Sequence, residues 1–303
     1  MKINRKIWVI SLMVGIAWGY IFCYVPQYSG LLKAQHTAVF SHRWLGDFAP
    51  DNSLSWALIA MRDWFDGIDV DGQLTKDHQI VIYHDLSVDR LTVSHGKVNS
   101  LTLDQLTPLD LGTKFHSWDG TGMNWSWVYV ASFEDFVREI TPYGTLMVEL
   151  KVPGMGATSI EDEAIRIIQK YGVWDRVYLS SFNPFVLWRL KQIDKRVRTV
   201  MISMDTNWNP ELLTEIRPED RVDLPWILRQ EWIRRGIRKI IHPDALSINH
   251  ETSESTINTL ISKGYPVFLW TVNDPKRVDW ARQKSPFGII SDNPYEVQRH
   301  LNK

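Results

Sequence analysis

Between Ile7 and Val25 the chain reads IWVISLMVGIAWGYIFCYV, without one charge. As a continuous helix this stretch would rise roughly 28 Å, about the depth of a bilayer's hydrocarbon core. Lys2, Arg5 and Lys6 precede it and Lys33 is the first positive charge after it. That asymmetry predicts a single-pass anchor with its N-terminus in the cytoplasm and the rest of the chain on the non-cytoplasmic side, periplasmic or extracellular. A cleaved signal segment is the alternative, although no small-x-small site follows the run. Pro26, Ser29 and Gly30 then break the apolar pattern, so 1–25 is expected to be the membrane segment, 26–36 a linker and 37–303 the folded domain.

From there short apolar runs alternate with helical periodicity. Strands are expected at Ala38–Ser41, Gly67–Asp71, Ile80–His84, Leu146–Leu150, Val177–Ser181, Thr199–Ser203, Ala245–Ile248, Val267–Thr271 and Gly288–Ser291. Several are near-continuous Val/Ile/Leu runs, as strands buried on both faces require. Helices are expected at Ser53–Phe65, Ser132–Ile140, Ile160–Tyr171, Pro184–Ile193, Ser255–Lys263 and Pro275–Lys284, with Ser132 and Ser159 as N-caps. Such alternation predicts βαβ units around a parallel sheet, an α/β fold. Residues 92–130, with Gly112, Gly120, Gly122, Trp118, Trp125 and Trp127, fit the rhythm poorly and read as an insertion beside one mouth of the fold.

The 303 residues, less the N-terminal segment and linker, match the ~250 typical of an α/β barrel. With 44% hydrophobic and 23% charged residues the chain can bury a large core. A net charge of -1 gives no bulk attraction to nucleic acid. The lone cysteine, Cys23, excludes an intrachain disulfide and leaves the redox compartment open.

Chemistry collects at the C-terminal ends of the expected strands: His42-Arg43, Asp69 and Asp71, His84-Asp85, Glu149 and Lys151, Ser181 and Asn183, Asn273, and Ser291-Asp292. In a barrel these ends share the face where active sites form. Asp69 and Asp71 lie two apart on one strand, so their carboxylates share a side. With Glu149 they make an oxygen-rich set suited to Mg2+ or Ca2+ rather than zinc. Ordinary strand-terminal carboxylates would give the same pattern. His42 and His84 suit proton transfer near neutral pH, one activating an attacking group and the other protonating a leaving alkoxide. Arg43 and Lys151 could stabilise a phosphate or balance the carboxylates. His95, His116, His242, His250 and His300 lack a strand-end setting and read as local hydrogen-bonding residues.

Taken together, these residues resemble the glycerophosphodiester phosphodiesterase family. His42-Arg43 with Ala49-Pro50-Asp51-Asn52-Ser53 is similar to its HRG…PENT. Gly67-Ile68-Asp69-Val70-Asp71, Leu74-Thr75-Lys76-Asp77 and Val81-Ile82-Tyr83-His84-Asp85 follow its central block. Glu149-Leu150-Lys151 resembles VEIK, Ser181-Phe182-Asn183-Pro184 SFNP, Trp270-Thr271-Val272-Asn273 WTVN, and Ser291-Asp292-Asn293-Pro294 TD-x-P. Each tetrapeptide is weak alone, but their joint order over about 38–302 is specific.

The resemblance implies a (β/α)8 TIM barrel, a divalent cation, and hydrolysis of glycerophosphodiesters to glycerol 3-phosphate and an alcohol. It implies His42 and His84 as the acid/base pair and Asp69, Asp71 and Glu149 as metal ligands. Arg43 and Lys151, with Asn52 and Trp270, are then substrate- or phosphate-facing. Three positions depart from the pattern: Trp44 stands for a glycine, and Asp69 and Asp51 each stand for a glutamate. A lysophospholipase D acting at the membrane, or a non-catalytic lipid- or phosphodiester-binding module, are the competing readings. The alcohol and the oligomeric state are not legible.

Overall fold

The structure is a computed structural model describing residues 5–25, 27–28, 36–43, 49–63, 65–115, 125, 127–152, 154, 156–204, 227 and 230–302. Trp44, Lys2, His116, Trp118, Gly120, Gly122 and the breakers Pro26, Ser29 and Gly30 lie outside the described residues.

Eight parallel strands close into a barrel: β1 (Ala38–His42), β2 (Gly67–Leu74), β5 (Thr145–Leu150), β6 (Val177–Ser181), β7 (Arg198–Ser203), β8 (Ala245–Asn249), β9 (Val267–Trp270) and β10 (Gly288–Ser291). Pairing runs β1-β10-β9-β8-β7-β6-β5-β2, and β2 returns to β1 with His42 opposite Asp69. The barrel interior is an apolar plug of Phe40, Met147, Tyr178, Val200, Ala245, Phe268 and Ile290. Phe40 and Phe268 meet edge to face at 5.1 Å. They fit because Gly67 offers no side chain. A Cβ there would lie 2.4 Å from Phe40 Cε1.

Around the barrel pack the helices Leu54–Arg62, Phe133–Ile140, Ile160–Tyr171, Pro184–Ile193, Glu231–Ile241, Glu254–Ser262, Pro275–Lys284 and Pro294–Leu301, burying a larger apolar layer against the strands' outer faces. Proline at N1 and an Asn or Asp N-cap start three of these helices (Pro184, Pro275, Pro294). Ser132 closes a capping box with Asp135, whereas Ser159 makes no side-chain cap and its hydroxyl instead lies 2.8 Å from His78 Nδ1.

Two expectations need correction. The run expected as strand Ile80–His84 is not a barrel stave. It is a short β3 (Ile80–Ile82) antiparallel to the overhang of β2, followed by β4 (Ala131–Ser132). A Val/Ile run looks the same in either setting, because its direction is fixed by pairing and not by composition. With the segment up to Val130 it builds a second small core of Val81, Tyr83, Val88, Leu91, Val98, Leu106, Leu111, Val128 and Val130. The expected insertion therefore has its own packed interior.

The second correction concerns the N-terminus. The unbroken span expected over 7–25 appears as a 14-residue α-helix, Arg5–Trp18, followed by a π-helical turn, Gly19–Cys23. Fourteen α-helical residues rise only about 21 Å. Among the described residues no helix is long and apolar enough to cross a membrane.

Candidate active site

The alternation of side chains along each strand carries the apolar plug into a polar mouth. Phe40 points into the barrel, so His42, two residues on, stands above it. Met147 is followed on the same side by Glu149 and Lys151, Gly67 by Asp69 and Asp71, and Phe268 by Trp270. Parallel register sets Asp71 opposite Glu149 and His42 opposite Asp69. Four apolar strands thus deliver one histidine, three carboxylates, one lysine and one tryptophan to one end of the barrel.

His84 arrives by a different route. Tyr83 N–H donates to the Asp71 carbonyl at 2.8 Å, continuing the antiparallel β2–β3 pairing and bringing the next residue to the mouth. A single imidazole from outside the barrel staves is thereby placed in range of Asp71, which feels both His84 and His42.

Each histidine is oriented by a carboxylate. His42 Nδ1 lies 2.6 Å from Asp292 Oδ1, and Asp292 is itself gripped by Asn273, whose Nδ2 donates to Oδ2 at 2.6 Å. Asn273 Oδ1 also accepts from the Asp292 N–H and from Ser291 Oγ. His84 Nδ1 lies 2.7 Å from Asp85 Oδ1. Arg90 Nε donates to Asp85 Oδ2 at 2.5 Å, and its NH2 group also reaches Asp51. With Nδ1 committed as donor, each ring exchanges protons through Nε2. Strand-end reasoning did flag Asp292, Asn273 and Asp85, but gave them no task. Asp89-Arg90 also continues the family likeness in the sequence, but nothing local gives Arg90 a task, because its role depends on two partners 5 and 39 residues away.

Arg43, Lys151 and Asn52 converge on Asp71. Arg43 Nε is 2.9 Å from Asp71 Oδ2, out of line for a hydrogen bond, and Lys151 Nζ is 3.3 Å from Oδ1. Asn52 Nδ2 donates to Oδ2 at 3.1 Å while its Oδ1 accepts the Asp71 N–H. Arg43 and Asn52 both hold positive φ, +44° and +56°, and are joined by an Asn52 N–H to Arg43 carbonyl bond of 2.9 Å. A left-handed arginine costs about 1 kcal/mol or more and persists where surrounding contacts dictate it. Trp270 lies at the rim, edge to face with Phe182 at 5.8 Å.

Charge is unevenly settled. Burial opposes the ionised form of Asp71, but Arg43 and then Lys151 outweigh it and hold this carboxyl far below the usual range. Burial pushes Asp69 up to about 7, His42 opposing and Asp71 and Glu149 adding to the rise. Burial likewise raises Glu149, against Lys151. Burial lowers His84, against the pull of Asp71, so the ring is neutral at neutral pH. Two buried carboxyls whose negative charge is unfavourable, beside a third that is ionised, are a donor set that a hard cation would relieve. The side chains are not drawn into ligating positions in this conformation. Among the described residues no group of three His, Cys, Asp or Glu is arranged to hold a metal ion. Asp71 is instead shared by Arg43, Lys151 and Asn52.

Of the other histidines, His250 does follow a strand, contrary to expectation: β8 ends at Asn249 and His250 N–H bonds the Trp270 carbonyl at 2.8 Å. Its ring accepts from Arg277 Nε at 2.8 Å rather than facing the mouth's carboxylates.

Residues 42–296 match the Glycerophosphoryl diester phosphodiesterase family. A glycerophosphodiester phosphodiesterase of Caldanaerobacter subterraneus subsp. tengcongensis is 28% identical over 261 residues, covering 85% of this chain and 95% of that protein. A putative glycerophosphodiester phosphodiesterase of Bacillus subtilis is 25% identical over 257 residues, 84% and 94% of the two chains. Among solved structures, an Oleispira antarctica phosphodiesterase in complex with its product sn-glycerol-3-phosphate superposes with a TM-score of 0.72 at 20% identity, covering 88% of this chain and 98% of that one. The glycerophosphodiester phosphodiesterase of Thermotoga maritima gives 0.62 at 18% identity, with 89% and 100% covered. At these identities the two structures speak for the barrel fold alone.

Proposed function

The chain belongs to the glycerophosphoryl diester phosphodiesterase family, and on that premise we propose that its barrel mouth hydrolyses glycerophosphodiesters to glycerol 3-phosphate and an alcohol, with His42 and His84 moving the protons. The observation that carries this reading is the pair of histidine–carboxylate dyads, His42–Asp292 and His84–Asp85, both near enough to Asp71 to act on its charge. An orienting carboxylate fixes the tautomer and steadies the imidazolium formed when Nε2 takes a proton. One ring accepts a proton from the attacking water as the water oxygen bonds to phosphorus. As the P–O bond to the alcohol breaks, the other ring's proton passes to the leaving oxygen. Lys151 and Arg43 would offset the negative charge that builds on the phosphoryl group.

Asp69, Asp71 and Glu149 would hold the divalent cation, Mg2+ or Ca2+. When bound, it supplies Lewis-acid polarisation of a phosphoryl oxygen. Asn52 then acts through Asp71 and not on the phosphate, since both ends of its amide are committed there. Trp270 offers an apolar wall for the substrate. The test is glycerol 3-phosphate release from glycerophosphocholine by the full chain, with and without chelator, alongside His42→Ala and Glu149→Gln. Loss of turnover by ~10²-fold or more in the histidine variant is expected. Undiminished release in His42→Ala overturns the proton-transfer assignment, and undiminished release after chelation or in Glu149→Gln overturns the cation.

We extend the proposal to location: residues 7–25 attach the protein to a membrane, with the barrel on the non-cytoplasmic side. Support comes from the charge asymmetry around the run and from its exposed apolar side chains, Val9 to Ile16. A C-terminal reporter active only in the cytoplasm overturns the sidedness. An acyl-bearing diester, the lysophospholipid alternative, is consistent with the same attachment.

A further inference from the structure

Helix Arg5–Trp18 leaves the barrel at a definite end. Glu231–Ile241 leads into β8 at Ala245, so its last turn lies at the barrel's N-terminal end and Trp232 at the catalytic end. Trp18 and Phe22 pack on Trp232 at 6.2 and 5.6 Å. Phe22 also abuts Gly236, where a Cβ would come within 2.9 Å of its ring. Tyr24 lies near Lys239 and Lys263, at 5.5 and 5.9 Å, and Tyr28 N–H bonds the Lys263 carbonyl at 2.7 Å, just ahead of β9. Trp18–Val25, and Tyr28 beyond it, therefore run down the barrel wall from the catalytic end. The helix before it extends past that end.

What it carries outward is apolar on every side: Val9, Ile10, Leu12, Met13, Val14 and Ile16 are each 50–64% exposed. Behind them comes an aromatic group, Trp18, Tyr20 and Trp232, each 41–56% exposed. Behind that come cations. Arg235 donates to the Cys23 carbonyl at 3.3 Å, and Lys239 to the Ile21 carbonyl at 3.1 Å and to that of Tyr20, capping the helix's last unpaired acceptors. Apolar, then aromatic, then cationic is the order in which a bilayer presents hydrocarbon, interface and anionic phosphate.

We propose that the barrel's catalytic face is held against a lipid bilayer, with Arg5–Trp18 inserted and Trp18, Trp232 and Arg235 forming the interfacial collar. This rests on the membrane attachment proposed above and adds an orientation to it. The active-site mouth opens toward the headgroups, so a diester carried on the surface meets it without crossing bulk water.

The experiment uses the full chain with Cys23→Ser and one new cysteine, Lys276→Cys at the catalytic end or Lys195→Cys at the opposite end, each exposed and outside the site. A fluorophore on that cysteine reports energy transfer to a headgroup-labelled lipid in phosphatidylcholine vesicles containing phosphatidylglycerol. Strands and turns separate the two ends by roughly 20–30 Å, so transfer from 276 should exceed that from 195 at least about twofold. Equal or inverted transfer on vesicle-bound protein overturns the orientation alone. Failure to sediment with vesicles overturns the attachment itself, and self-association without vesicle capture assigns the apolar helix to a second copy of the chain.

Discussion

Asn52 holds Asp71 with both ends of one amide: its Nδ2 donates to the carboxylate at 3.1 Å and its Oδ1 accepts the Asp71 N–H at 3.1 Å. The grip exists because Asn52 adopts φ of +56°, a conformation asparagine tolerates better than most residues. The two bonds fix where the Asp71 carboxylate stands between Arg43 and Lys151.

Asn52→Ala should therefore loosen Asp71 without removing any charge. Turnover is expected to fall about 10-fold or more, with a higher cation concentration needed for half-maximal activity. The fold should lose about 1–3 kcal/mol, the usual cost of a buried hydrogen-bond partner lost. Steady-state rates across a Mg2+ or Ca2+ titration check this. An unchanged cation requirement would assign Asn52 to the substrate side.

Asp292→Ala should act through His42. It removes the acceptor at 2.6 Å that fixes the ring, and takes from Asn273 Nδ2 its carboxylate acceptor. A fall in kcat of ~10²-fold with KM nearly constant is expected for a lost orienter. Asp292→Asn, which can still accept from Nδ1, should retain more activity than the alanine. If KM rises instead and kcat holds, Asp292 touches the substrate.

Much of the architecture was legible because burial on both faces leaves a plain mark: Val177–Ser181 and Gly288–Ser291 are near-continuous apolar strands, and Ile160–Tyr171 and Pro184–Ile193 are bounded by visible helix signals. Helices Glu231–Ile241 and Pro294–Leu301 escaped notice. The first buries Arg234 and Arg238 around Glu231, so its inward face is partly charged and breaks the apolar rhythm. The site's strand-end residues could be named, but not their partners. The His84–Asp85 contact is between neighbours, whereas His42–Asp292 spans 250 residues and depends on barrel closure between β1 and β10. That Asn52 serves Asp71 follows from a backbone conformation no composition rule reveals.

Gly67→Ala should destabilise the barrel. The added methyl would sit 2.4–2.8 Å from three Phe40 ring carbons, which Phe268 holds from another side. Overpacking of this kind costs about 1–3 kcal/mol. Pairing it with Phe40→Leu should recover part of the loss, because the smaller side chain vacates the contact. Urea midpoints of the single and double variants measure the coupling. Simple additivity would mean that the barrel interior absorbs the methyl elsewhere.

Acid sensitivity should trace in part to His250. Burial, followed by repulsion from Arg277, lowers its pKa from 6.5 to about 4, and its ring accepts from Arg277 Nε at 2.8 Å. The folded protein thus keeps this imidazole neutral where the unfolded chain would protonate it. Between pH 6.5 and about 4 the unfolded state binds more protons, so the stability of the fold falls as the pH drops through that window. Above 6.5 both states are neutral at this position and the contribution is constant. After discounting for partial solvent access, the loss is on the order of 1–2 kcal/mol. Replacing the ring with a neutral acceptor, His250→Gln, should flatten the decline of Tm between pH 6.5 and 4 relative to the parent chain. Groups elsewhere titrate in both proteins alike, so the difference between the two curves isolates this ring. Parallel Tm curves would show that Arg277 releases His250 on protonation without cost to the fold.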